Sequence, residues 1–217
     1  MSALAAKCRH SYHCGMTTAR LTPARLEAAG SGAFFRPRDL ASLAIPFAEL
    51  QRLVAAGTVE KVEPGLYRLA AAEPSEFETL AMVASVVPAA IVCLLSALGL
   101  HRIGTQAPHE IRLALDRKAR KPAHLPVRVR IVRFSGAALT YGIETRAILG
   151  VSVGVTSPAR TIVDCFRYRR KLGLDVALKA LRDAIRTRKA TADAIMRAAE
   201  VCHARTVISP YLEALAP

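Results

Sequence analysis

Residues 80–100, LAMVASVVPAAIVCLLSALGL, run for 21 positions without a charge, and this run narrows the choice of fold more than any other segment. A helix of that length is long enough to cross a bilayer. Pro88 interrupts it, lacking an N–H to donate and carrying a ring that clashes with the preceding turn. Ser85, Ser96 and Gly99 dilute its apolar character further. The run therefore reads as two helices meeting at Val87-Pro88, the second spanning Ala89 to Leu100, packed inside a globular domain rather than in lipid. No membrane partner is expected. The N-terminus, MSALAAKCRHSYHC, has no apolar stretch of signal-peptide length before its polar residues begin. The 5 Cys are an odd number in a chain too long and too sparse in Cys for a disulfide scaffold. A reduced, cytoplasmic setting follows as the expectation.

Charge supplies the next constraint. The chain has 31 Lys and Arg against 17 Asp and Glu in 217 residues, a formal net charge of +14. Such an excess attracts polyanions and speeds their encounter, and it is the first mark of a nucleic-acid binder. A hydrophobic fraction of 52% argues against intrinsic disorder, which needs low hydrophobicity as well as high charge. The length suits one or two domains.

Residues 1–19 read as a tail, either disordered or, up to residue 15, a stretch upstream of a true start at Met16. Cys8, His10, His13 and Cys14 within it match no standard zinc spacing. Residues 20–72 follow the order of a winged helix-turn-helix. Thr22-Pro23 opens a first helix and Gly30 stops it. Residues 33–36 are a short extended segment, and Pro37-Arg38-Asp39-Leu40 begin a second helix that closes before Pro46. FAELQRLVAA then places Leu50, Leu53 and Val54 on one face, with Gly57 as terminator. TVEKV and LYRL, joined by Glu63-Pro64-Gly65, form a hairpin wing.

That third helix has the chemistry of a recognition helix. It buries its apolar face and offers Phe47, Glu49, Gln51 and Arg52 on the other. Gln51 has the donors and acceptors to pair with adenine, and Arg52 suits guanine or a phosphate. Phe47 suits a thymine methyl. Glu49 would accept from cytosine or repel phosphate. Arg36 and Arg38 at the supporting helix, with Lys61 and Arg68 on the wing, are placed to grip backbone phosphates, which positions a protein without reading sequence.

AAAEPSE, residues 70–76, is the expected boundary. Residues 1–75 carry 9 basic and 6 acidic side chains and residues 76–217 carry 22 and 11, so the larger block is the more electropositive. Residues 76–217 read as a mixed α/β domain, giving an α+β chain overall. Its strands are expected at 111–115, 127–134 and 151–155, and its helices after Ser157-Pro158, over 175–188, over 191–203 and at the C-terminus. In the strand at 127–134, Val127, Val129 and Ile131 share one face, with Arg128 and Arg130 on the other. Two clusters stand out as a secondary basic patch: Lys118, Arg120 and Lys121 after one strand, and Arg167, Arg169, Arg170 and Lys171 after a helix. Each suits phosphate, and the second also suits a helix C-terminus.

Catalytic signals are weak. The sequence contains no P-loop, GxGxxG, GxSxG or HExxH. Asp116-Arg117-Lys118 has the acidic-x-Lys form of one half of a metal-dependent nuclease site, but Glu110 lies only six residues upstream and no companion acid stands at a suitable distance. His101 reads as a helix-end or core-edge residue, and Cys93 as inert packing. No catalytic residue, metal or cofactor is predicted.

GAFFRPRDL (32–40) and LQRLVAAGTVEKVEPGLYRL (50–69) resemble the N-terminal winged-helix domain of the AbiEi antitoxins of type IV toxin–antitoxin, or abortive-infection, systems. IVCLLSALGLHRI (91–103), RIVRFSG (130–136) and TSPARTIVDCFRYRRKLGLDVALKAL (156–181) resemble that family's C-terminal antitoxin domain. The resemblance runs over residues 20–215. In this chain Pro46-Phe47-Ala48-Glu49 stands where the family usually has small polar residues. The resemblance implies a non-enzymatic autorepressor that binds inverted repeats in the double-stranded DNA of its own promoter. It also implies antagonism of a nucleotidyltransferase-like toxin, with no need for direct contact. The competing readings are a plain winged-helix regulator whose C-terminal domain senses a ligand or partner, and a Mg²⁺-dependent nuclease using Asp116 and Lys118.

Overall fold

The computed structural model describes residues 25, 32–41, 44–73, 75–104, 110–122, 125 and 127–215. The tail, its Cys and His residues, and all but Arg25 of the first expected helix lie outside them.

The chain is α+β and builds two sheets. In the first, β1 (Phe34–Phe35), β2 (Val59–Glu63) and β3 (Leu66–Leu69) pair antiparallel in the order β1-β3-β2. α1 (Pro37–Ala41) and α2 (Phe47–Ala55) lie between β1 and β2 in the chain. Strand, two helices and hairpin thus follow one another in the order expected from the sequence, the first helix of that expectation lying outside the described residues. Ala44 closes α1 with φ 53°; Ile45 N–H donates to Leu40 O at 3.1 Å and Ala44 N–H to Ala41 O at 3.2 Å. These paired bonds satisfy the last carbonyls and turn the chain sharply into α2. Gly57, φ 69°, ends α2 in the same manner. Phe35, Leu40, Leu50, Val59, Tyr67 and Leu69 fill the core between this sheet and its helices.

The second sheet has five strands in the order β6-β5-β4-β8-β7: β4 (Ile91–Val92), β5 (Ile111–Asp116), β6 (Val129–Phe134), β7 (Ile143–Ile148) and β8 (Val151–Thr156). β5 and β6 are parallel, as are β4 and β8; the remaining pairs are antiparallel. α3 (Glu78–Val86) packs on one face together with Phe34 and Leu66 of the first sheet, over Leu113, Leu115, Val151, Val153 and Val155. The other face meets α4 (Leu94–His101), the short α5 (Ala137–Thr140), α6 (Pro158–Arg167), α8 (Leu174–Arg186), α9 (Ala192–Val201) and α10 (Arg205–Glu213), with α7 (Arg169–Leu172) between α6 and α8. Ser157 and Thr191 cap α6 and α9 through their hydroxyls, as their positions before the helices favour.

The uncharged run corrects one expectation. α3 ends at Val86, just before Pro88, but residues 89–100 are not one helix: Ile91 and Val92 form β4, between β5 and β8, and the helix starts only at Leu94. A short apolar run bounded by Pro has the same pattern whether it is a buried strand or a buried helix. The branched side chains of Ile91 and Val92 fit the centre of a sheet, packed from both faces. β7 and α5 had no counterpart in the sequence reading. Among the described residues no helix is long and apolar enough to cross a membrane.

The small sheet is held between two cores. Its outer face carries α1 and α2, while Ala33, Phe34 and Leu66 belong to the core of the large sheet. Ala33 N–H donates to Leu149 O in the β7–β8 turn at 2.7 Å. Gly32, φ 60°, lies so close to that turn that a Cβ would collide with the backbone of Leu149 and Gly150.

Candidate nucleic-acid interface

α2 is built to show one face. Leu50 is fully buried, and Leu53 and Val54 pack partly buried against the same core. The opposite side carries Phe47 (57% exposed), Ala48, Gln51 and Arg52, all exposed. Glu49 is half-buried and holds Arg52 by an ion pair at 3.0 Å; the Arg52 side chain is 77% exposed. Glu49 thus orients Arg52 outward and also stands as a negative charge that an approaching phosphate meets.

The remaining predicted residues fall into two groups. Arg38, at the start of α1, is 65% exposed at its side chain and 3.6 Å from Asp39. The Asp39 carboxylate accepts from Arg36 N–H at 2.7 Å and so caps α1. Lys61 is exposed on the wing strand β2, beside exposed Val62. Arg36 and Arg68 point elsewhere. Arg36 donates from Nη2 to Val86 O at 3.3 Å, the C-terminal carbonyl of α3, where a cation complements the helix dipole. Arg68 lies between Glu60 (3.5 Å) and Glu78 (3.2 Å) and donates to Ala72 O at 3.2 Å, with 17% of its side chain exposed. Both arginines tie the small sheet to α3, an arrangement of non-local burial that their spacing in sequence does not reveal.

The C-terminal part has a buried polar framework. Arg160, fully buried, pairs with Asp164 at 2.9 Å, donates to Tyr141 O and Ala138 O at 2.9 Å each, and lies over the Phe134 ring. Burial pushes the Asp164 carboxyl above its ordinary pKa, opposed by the Arg160 guanidinium. His101 ends α4; its Nε2 donates to Thr156 O at 2.6 Å and its Nδ1 accepts from Arg146 at 2.9 Å. Thr156 and Thr161 share a hydroxyl bond of 2.7 Å. Cys93 is buried with its pKa pushed well up by burial, which keeps the thiol protonated and unreactive. Asp116 accepts from the Lys118 amide at 2.7 Å, closing its own turn. Among the described residues no three His, Cys, Asp or Glu side chains gather to hold a metal ion.

Lys118, Arg120, Lys121, Arg167, Arg170 and Lys171 are exposed and Arg169 half-buried, its guanidinium on Phe166 O at 2.9 Å. Arg133 and His203, absent from the sequence reading, lie between the two clusters in space. Nothing in the local pattern marked them: Arg133 is one of several arginines in a strand, and His203 follows a helix.

Residues 24–70 match the sequence model of the family described as transcriptional regulator, AbiEi antitoxin. That match agrees with the resemblance read from the residues of this segment. Across nearly the whole chain the fold is similar to the crystal structure of the RV2827C protein from Mycobacterium tuberculosis, with a TM-score of 0.52 at 13% identity, covering 91% of this chain and 82% of that one. No curated protein matches the sequence significantly.

Proposed function

We propose that this protein is a non-enzymatic DNA-binding antitoxin that represses its own operon by binding inverted repeats in the promoter, and that the operon also encodes a nucleotidyltransferase-like toxin that it antagonises without needing to touch it. The observation that carries the DNA-binding part is the outward face of α2, where exposed Phe47, Gln51 and Arg52 lie within the segment that matches the regulator family. Gln51 and Arg52 are the base-reading pair, Phe47 meets a thymine methyl, and Arg38 and Lys61 hold phosphates on either side. Arg36 and Arg68 support this surface from behind by fixing the small sheet on α3.

The test is a salt-titrated binding assay on the gene's own upstream DNA against scrambled DNA of equal length. Preference for the upstream fragment, with affinity falling steeply as salt rises, is expected. Equal affinity for both fragments refutes a sequence-specific repressor. Co-expression with the adjacent gene's product tests the antitoxin part: rescue of growth is expected, and persistent toxicity overturns it.

A further inference from the structure

Arg167, from one half of the secondary basic patch, and Arg133, which bonds the loop that carries the other half, lie together at one end of the large sheet. β5 and β6 run parallel and both finish there, at Asp116 and Phe134. α6 ends at the same place with Arg167. Between the strand ends and the helix ends lies a cleft of about 280 Å³, walled by Arg133, the turn 135–138, Arg167 and His203. Arg133 Nη1 donates to Asp116 O at 2.8 Å and Ala119 O at 2.7 Å, so it ties the loop bearing Lys118, Arg120 and Lys121 to the cleft wall.

The carboxylates nearby are already engaged. Asp116 holds the Lys118 amide, Asp164 is bound by Arg160 and Arg167, and Glu200 on α9 pairs with Arg205. Among the described residues none of them pairs with Arg133, Lys118, Arg120 or Lys121. Some exposed arginines elsewhere have such partners: Arg52 has Glu49, Arg102 has Glu76 and Arg186 has Asp183. The cation at Arg167 has a reason without any ligand, since it sits in the last turn of α6, beside the partial negative charge of that helix C-terminus. That reason does not extend to Arg133 and its loop, which stand at strand ends. The carboxyl ends of parallel strands are where α/β sheets open ligand crevices.

We propose that the cleft between Arg133 and Arg167 binds a phosphate group. Arg133 supplies the charge-assisted donors, Arg167 and His203 the opposite wall, and Phe134 and Ala138 an apolar floor that strengthens the attraction. The cleft is small for a drug-sized ligand, being below roughly 300 Å³, and suits a single phosphoryl group with little of its body. The phosphate comes either from a free nucleotide or from the backbone of DNA lying across the patch.

Calorimetric titration of the full chain with AMP and with inorganic phosphate at low salt tests the first source. Anisotropy with scrambled duplex DNA tests the second, because it leaves base reading by α2 out of the measurement. Arg133→Gln should weaken the relevant affinity by about ten-fold, the loss of one charge-assisted bond. Arg133 also anchors a loop, so Ala137→Glu repeats the test, placing a carboxylate at the exposed mouth while leaving the bonds of Arg133 intact. AMP or phosphate binding that both variants abolish establishes a free ligand. Absence of such binding, with a duplex salt slope lowered by about one phosphate in both variants, establishes the backbone source. Wild-type behaviour of both variants in both assays overturns the proposal. Preference for the upstream fragment, carried by α2, should survive in either variant.

Discussion

His101 shows how one buried side chain makes the protein sensitive to acid. Its Nε2 proton is committed to Thr156 O, and its Nδ1 lone pair accepts from Arg146. A second proton would face the Arg146 guanidinium inside a poorly solvated site. Burial, first of all, holds its pKa below the ordinary 6.5. The unfolded chain therefore takes up the proton before the folded one does, and stability falls as pH drops below about 6.5. It levels off only below the folded-state value. Denaturant titrations from pH 8 to pH 5 should show this loss, and it should shrink in His101→Gln. A loss of the same size in the variant assigns the acid sensitivity to other groups. At the DNA surface, Arg52→Ala should cost about 1–3 kcal/mol of operator affinity and relax specificity at one base position if Arg52 reads a base. Glu49→Gln should act in the opposite direction by freeing Arg52 and removing a repulsion from phosphate. Competition assays on single-base operator variants measure both. Unchanged affinity and specificity in Arg52→Ala removes it from the interface.

Among the secondary-structure elements, α6 depends most on its partners. It opens with Ser157-Pro158, a side-chain cap and a proline in the first turn. Its interior then buries the ion pair of Arg160 and Asp164, which also holds α5 and the start of β7 through Tyr141 O and Ala138 O. Arg160→Met would leave the Asp164 carboxylate in an apolar site with only Arg167 beside it. A cost of about 3–5 kcal/mol is expected, because removing one partner strands the other. Chemical denaturation measures it, and a cost below about 1 kcal/mol would mean that the site readmits water. Four helices, α1, α4, α8 and α9, end at non-glycine residues in the left-handed region: Ala44, Arg102, Arg188 and His203. The ends of α2, at Gly57, and of α7, at Gly173, carry the usual glycine signal. At Ala44, Arg102 and His203 the residue that follows, Ile45, Ile103 or Ala204, is buried, so packing rather than chain propensity holds the turn there, which no local pattern records.

For the whole molecule, the boundary at residues 70–76 separates two sheets that share a core. Phe34 and Leu66 of the small sheet pack with α3 and the large sheet, and Arg36 and Arg68 bond to α3. We therefore expect one cooperative calorimetric transition rather than two, with Gly32→Ala lowering its midpoint. The added methyl would meet the backbone of the β7–β8 turn at a residue with positive φ, at a cost of about 1–3 kcal/mol from overpacking. Two resolved transitions would show that the halves fold independently. The wing hairpin, the apolar stripe of α2, the cap of α6 and the strands at 111–115, 127–134 and 151–155 were all legible from local pattern, because turn chemistry and side-chain period act within a few residues. Other features were set by non-local burial. The flanking strands β5 and β8 selected β4 within an apolar run that suited a helix equally well. Contact with α3 turned Arg36 and Arg68 from apparent phosphate grips into ties between the sheets. The parallel course of β5 and β6, with α6 ending beside them, brought Arg133 and Arg167 to one cleft. Each of these depends on which distant surface a residue meets, and the free energy of burying or pairing it there exceeds the small local preferences that a linear pattern records.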